Sequence, residues 1–124
     1  MKLRINQQSI RLRLSQKDIS NLRFNGILSV PLFWGMHEDD LLVYKLSLIE
    51  EGVSQVKLSN EEFNIIVLKS EINDWLQNDE ITSFECSFHT IAAPLTILIE
   101  RDFKCLTPRN ENEEDLYENP NGKC

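Results

Sequence analysis

The chain has 124 residues, with 13 Lys and Arg against 20 Asp and Glu, a formal net charge of −7. Hydrophobic residues make up 41% and charged ones 27%, the mix of a globular domain rather than a disordered chain, and the length suits one domain. The acidic balance repels phosphate and so excludes general affinity for nucleic acid or an anionic membrane surface.

Leu3 and Ile5, then Ile10, Leu12 and Leu14, alternate with polar residues on either side of Asn6-Gln7-Gln8-Ser9, which predicts a β-hairpin. Ser15 followed by Asp18 has capping-box spacing. Ile19 and Leu22 share one helical face, and Asn25-Gly26 suits a left-handed C-cap, so a helix of about two turns is expected. Residues 27–34 read as a strand that Pro31, lacking an N–H, confines to an edge or a bulge. A polar turn over 35–40 leads to a strand over Leu41–Ile49, Glu51-Gly52 turns into Val53–Leu58, and Ser59–Glu62 turns into Phe63–Leu68. Links this short predict an antiparallel meander.

Ser70 is a good N-cap residue for a second helix over Glu71–Gln77, with Ile72, Trp75 and Leu76 as its apolar face and Asn78 as its stop. Phe84, Cys86 and Phe88 alternate with Glu85, Ser87 and His89 in a further strand. Leu95–Ile99 reads as apolar on both faces, as a central strand covered twice would. No repeat with a period of 20–50 residues is visible. The reading is α+β: a single domain of about eight mostly antiparallel strands in a curved sheet or open barrel, with two short helices. From Thr107 the composition turns polar and acidic, with Leu116 and Tyr117 as the only large apolar residues. A compact domain over 1–106 and an acidic arm over 107–124 are therefore expected.

Lys2-x-Arg4-Ile5 followed by Ser9-Ile10-Arg11-Leu12-Arg13-Leu14-Ser15 resembles the opening of a family of small bacterial proteins of unknown function. Ile97-Leu98-Ile99-Glu100-Arg101-Asp102-Phe103-Lys104-Cys105-Leu106 looks like that family's closing strand. Glu114-Asp115 and Asn119-Pro120-Asn121 are similar to its acidic tail. The resemblance implies a compact single domain and brings no activity with it.

Charge is unevenly spread. Residues 1–23 hold six bases and one acid, a net of +5, while the rest of the chain carries seven bases and nineteen acids, a net of −12. Strand alternation places Lys2, Arg4, Arg11 and Arg13 on one face of the hairpin. Like charges opposite one another destabilise a sheet unless they are answered. Glu100 and Asp102 share one strand face and could answer two of the four. The other reading is an anion site in which guanidinium forks grip phosphate or carboxylate. An anion-binding barrel resembling the triphosphate-tunnel enzymes is the sharp form of this alternative. Those enzymes open with a Glu-x-Glu-x-Lys strand, and Lys2-Leu3-Arg4-Ile5-Asn6 has no such glutamates.

His37-Glu38-Asp39-Asp40 offers oxygen ligands but lacks the spacing of a calcium loop, so it reads as a solvated turn. Cys105, Cys124, His37 and His89 could supply four zinc ligands, yet no close pair anchors such a site. Cys86, between Phe84 and Phe88, reads as a small buried hydrophobe. Nucleophile motifs and glycine-rich phosphate loops are absent, so the reading leans to a non-catalytic protein without a cofactor or metal. Trp75 belongs to the core by its helical spacing. Phe33 and Trp34, beside a Pro-bearing strand, are the expected partner surface.

Met1–Asn6 runs into polar Gln7-Gln8-Ser9, with no apolar segment of a secretory signal, and the longest apolar runs, such as Ile65–Leu68, are far below the ~20 residues of a membrane span. Cys86, Cys105 and Cys124 form an odd set without C-x-x-C spacing, as suits reduced thiols in the cytoplasm. The expectation is a small cytoplasmic bacterial module that binds a protein or a small anionic ligand, with no nucleic acid or membrane among its partners.

Overall fold

The computed structural model describes residues 1–104 and Tyr117. The expected arm over 107–124, its boundary at 106, and Cys105, Leu116 and Cys124 lie outside the described residues, while Tyr117 is exposed. Ten elements follow one another: β1 (Lys2–Asn6), β2 (Ser9–Leu14), α1 (Gln16–Asn25), β3 (Ile27–Phe33), β4 (Leu41–Ile49), β5 (Gln55–Ser59), β6 (Glu62–Leu68), α2 (Lys69–Gln77), β7 (Ser83–Phe88) and β8 (Leu95–Arg101). The eight strands form two mixed four-stranded sheets, β1-β2-β8-β7 and β3-β4-β6-β5, and neither closes into a barrel. The fold is α+β in one domain.

Local signals explain the first helix. The Ser15 hydroxyl accepts from the Asp18 N–H at 3.1 Å, and the Asp18 carboxylate accepts from the Ser15 N–H at 2.9 Å, a complete capping box. Gly26 closes the helix at φ 71°, donating its N–H to the Leu22 carbonyl at 2.9 Å. The Met1 amine also lies 2.8 Å from Asp18 Oδ2. Burial opposes ionisation of Asp18, but hydrogen bonds from that amine and from Ser15 outweigh it and hold the carboxyl below its ordinary range.

The second helix departs from the reading. It starts at Lys69, straight out of β6, with Leu68 at its N-cap and no side-chain cap, so Ser70 sits inside the first turn. The Leu68 N–H instead donates to the Ser54 hydroxyl at 2.9 Å. Asn78 ends the helix as expected.

Strand order departs too. β3 pairs antiparallel with β4 and β5 with β6, but β4 and β6 are parallel neighbours, as are β2 and β8. The predicted meander therefore breaks between β4 and β5, because the short link 50–54 passes β6 and sets β5 on its far side. Pro31 does lie on an edge strand. β8 is central, yet its faces differ: Ile97 and Ile99 are buried, while Thr96 and Leu98 are half-buried.

The core gathers Ile10, Leu12 and Leu14 of β2, Leu46 of β4, Ile65 and Val67 of β6, and Ile97 and Ile99 of β8. Ile19 and Leu22 of α1 and Ile72, Trp75 and Leu76 of α2 join them. The order hairpin–helix–hairpin occurs twice, and each sheet takes one hairpin from each half. A repeat is thus present at a spacing just beyond the 20–50 residue window.

Two measurements test these assignments. In urea unfolding, Ser15→Ala should cost about 1 kcal/mol, whereas Ser70→Ala, which removes no cap, should stay within about 0.5 kcal/mol. Asp18 is a stronger acid in the folded chain, so it stabilises above the ordinary carboxylate range and that stabilisation fades as pH falls through its folded value. Asp18→Asn should therefore flatten the acid limb of stability measured against pH.

Candidate functional site

Three surfaces carry chemistry. The first is the outward face of the sheet β1-β2-β8-β7, where register sets Lys2 opposite Arg13 and Arg4 opposite Arg11. All four predicted cations share that face. The parallel pairing of β2 with β8 places Glu100 beside Arg13. Glu100 Oε1 accepts from Arg13 Nε at 3.0 Å and lies 3.4 Å from Arg11 Nε, and Asp102 Oδ2 lies 2.8 Å from Lys2 Nζ. One carboxylate thus bridges two guanidinium groups, and a second answers the lysine. Each pair is partly exposed, so it is worth at most about 1 kcal/mol; the larger effect is to relieve repulsion between facing cations.

The second surface is the end of β3. Phe33 and Trp34 are 64% and 66% exposed, and Leu32 and Met36, at 51% and 97%, extend the patch. The turn beyond is stapled by Asp40. Its carboxylate accepts from the His37 N–H at 3.1 Å, its N–H donates to the His37 carbonyl at 3.0 Å, and its carbonyl accepts from the Trp34 N–H at 2.9 Å. A Cβ on Gly35 would lie 2.7 Å from Asp40 Cγ, so only glycine leaves room for that carboxylate. Sequence reasoning found Phe33 and Trp34 but not Leu32 and Met36. A pointer was available: a strand held to an edge by Pro31, ending in a polar turn, has nothing beyond it to cover either face.

The third is a cleft of ≈ 510 Å³ lined by Leu14, Ile19, Arg23, Asp79, Arg101 and Phe103 among others. Its arginines serve the end of α2. That helix has neither a C-terminal glycine nor a base in its last turn, so its carbonyls need donors from elsewhere. Arg101 donates to the Trp75 carbonyl at 2.8 Å and the Ile81 carbonyl at 2.6 Å, with its guanidinium 4.5 Å from the Trp75 ring centre. Arg23 Nε donates to the Leu76 carbonyl at 2.8 Å. Asp79 lies 3.4 Å from Arg101 Nη2 and 3.7 Å from Arg23 Nη2. Sequence reasoning singled out none of these three residues; the missing cap on α2 was the signal.

Among the described residues, no three His, Cys, Asp or Glu side chains converge as a metal site. The proposed zinc ligands Cys105 and Cys124 lie outside the described residues. Cys86 is a half-buried free thiol. Burial, then the charges of Glu71 and Glu85, push it up to about 11.

Arg101→Ala should destabilise the fold by about 2–4 kcal/mol, since it strips two carbonyls of their donor, and Arg101→Lys should recover only part, because an ammonium cannot fork. Thermal and urea melts of both variants check this. The Cys86 thiol should resist alkylation in the native protein near neutral pH and react rapidly once urea unfolds it.

No helix among the described residues is long and apolar enough to cross a membrane. No curated protein and no solved structure matches the chain. The model of a family of unknown function (DUF7009) does match, over residues 1–121, and the chain belongs to that family.

Proposed function

We propose that this chain is a non-catalytic binding module that engages a partner protein through the end of β3 and the turn after it. The exposure of Leu32, Phe33, Trp34 and Met36 within five residues carries the reading. Contiguous exposed apolar groups mark interaction surfaces, and aromatic anchors concentrate binding energy. The Asp40 staple holds the turn in one shape, so little ordering entropy is lost on docking. Glu38 and Asp39 flank the patch, which suits a partner whose apolar pocket has a basic rim. The odd, unmotivated set of cysteines supports placing this module in the bacterial cytoplasm.

A photo-crosslinking residue at Phe33 tests the idea in cells that express the protein. It should capture one discrete species, and adding Trp34→Ala should abolish the capture while leaving the melting temperature nearly unchanged. The same probe at Val53, more exposed still but elsewhere, should capture nothing. Identical capture from Val53, or capture indifferent to Trp34→Ala, would overturn the reading.

A second reading has its own observation. Register stacks Lys2 on Arg13 and Arg4 on Arg11, a density of cations that an anion could bridge by displacing Glu100. Because the sheets do not close into a barrel, this is a surface site rather than a tunnel. Tripolyphosphate should raise the melting temperature of the wild type and not of Arg11→Ala; equal responses would remove the anion site.

A further inference from the structure

A constant shift of 53 residues relates β1, β2, α1 and β4 to β5, β6, α2 and β8, while β7 follows β3 at a shift of 56. The parallel seam between β2 and β8 sets Ser9 beside Thr96, Leu12 beside Ile99 and Leu14 beside Arg101. The seam between β6 and β4 sets Glu62 beside Val43, Ile65 beside Leu46 and Val67 beside Leu48. Moving the first member of each pair forward by 53 positions and the second back by 53 turns one set into the other. Shifts of opposite sign on two partners are what a two-fold axis produces. The relation extends to the turns, where Gln7 and Asn60 both sit at φ 51°. It extends to the links as well: the Thr96 N–H donates to the Gln8 carbonyl at 2.9 Å, and the Val43 N–H to the Glu61 carbonyl at 2.7 Å. Buried Ile19 and Leu22 of α1 correspond to buried Ile72 and Trp75 of α2.

Such an arrangement is a two-fold assembly of hairpin–helix–hairpin units with their hairpins exchanged and their ends fused. Only the link 50–54 joins the units covalently. We propose that the surfaces on which the halves meet also accept a second copy of this chain, β1–β4 of one copy docking β5–β8 of another. Every strand pairing between β1–β4 and β5–β8 of the closed chain would be kept in that reciprocal pair. What favours the closed form is the high effective concentration that a short link gives its two ends. The link spans a definite gap. Ile49 is level with Leu68 on one side of β6, and Gln55 is level with Ile66 on the other. Two strand spacings across and two residues along make about 12 Å. Gly52, at φ 119°, and Val53, 75% exposed, lie in the middle of the link. Removing Glu51, Gly52 and Val53 leaves three Cα–Cα steps, which reach about 11 Å at most and cannot also skirt β6.

The deletion of residues 51–53 should therefore convert the protein to a folded species of twice the chain mass by light scattering, with the circular dichroism of the wild type. A second measurement uses the intact chain. Two isotopically distinct wild-type preparations, unfolded together and refolded at high concentration, should give a mixed dimer by native mass spectrometry. Separate refolding followed by mixing should not. A folded, monomeric deletion variant would overturn the proposal. If the variant fails to fold, the absence of mixed dimer from co-refolded wild type would overturn it.

Discussion

The two parallel seams are the constraint on which the rest depends. A two-stranded hairpin is at best marginally stable in water, and this chain makes four of them. Each becomes part of a sheet only by joining another hairpin along β2–β8 or β4–β6. The seams join hairpins from opposite halves, so neither sheet can form from one half alone. They also carry the core: Leu12 beside Ile99 and Leu46 beside Ile65 are all essentially inaccessible to solvent. A slip of one residue would turn these side chains outward and bring Arg11, Arg13, Lys45 and Asn64 inward, which is why the register is firmly set. The same register delivers Glu100 to Arg13 and Arg11, so neutralisation of the basic hairpin follows from core packing.

Within this two-fold frame, the halves differ where the chain changes direction. α1 ends on Gly26, whose left-handed backbone closes the helix with its own N–H. α2 ends on extended Asn78, and Arg23 and Arg101 supply the donors from other elements. Leu22 of α1 is matched by Trp75 of α2, a larger ring that is 2% exposed. Arg101 lies over that ring, where the other half has Leu48. The Trp75 Nε1–H finds no acceptor among the described residues, which costs the desolvation of one donor. The tryptophan is nonetheless kept in the core by its apolar area and by the cation above it.

How much of this was legible depended on distance along the chain. α1 was readable almost to the residue, because Ser15, Asp18 and Gly26 act within one or two turns of each other. α2 was readable in its buried face but not in its start: Ser70 has the right chemistry, yet β6 runs directly into the helix and leaves Ser70 two positions too deep. Period-two alternation gave the inward side chains of β2 and β7, whereas β8, read as apolar on both faces, buries only Ile97 and Ile99. It did not reveal that β4 neighbours β6, since alternation fixes which face is buried and carries nothing about the next strand. The 53-residue repeat was hidden because the halves share backbone conformation more than residue type: Ser15 corresponds to Leu68, Arg23 to Leu76 and Lys45 to Leu98.

The candidate surfaces follow the same logic. The cations of β1 and β2 were visible as a pattern, with Glu100 and Asp102 as candidates to answer two of them, but Glu100 lies 87 residues from Arg13 in sequence and only the seam makes the two neighbours. A charge cluster read from sequence is therefore half a statement, completed by whatever the fold sets beside it. Here the fold sets down carboxylates, and a ligand at that face has to compete with them. The end of β3 is the opposite case. No core side chain and no partner within the described residues covers Phe33, Trp34 or Met36, and the turn that presents them is held by Asp40 in one conformation. A satisfied charged face and an uncovered apolar one differ in what remains to be gained by binding, and that difference is why the proposed partner surface is the tip rather than the hairpin.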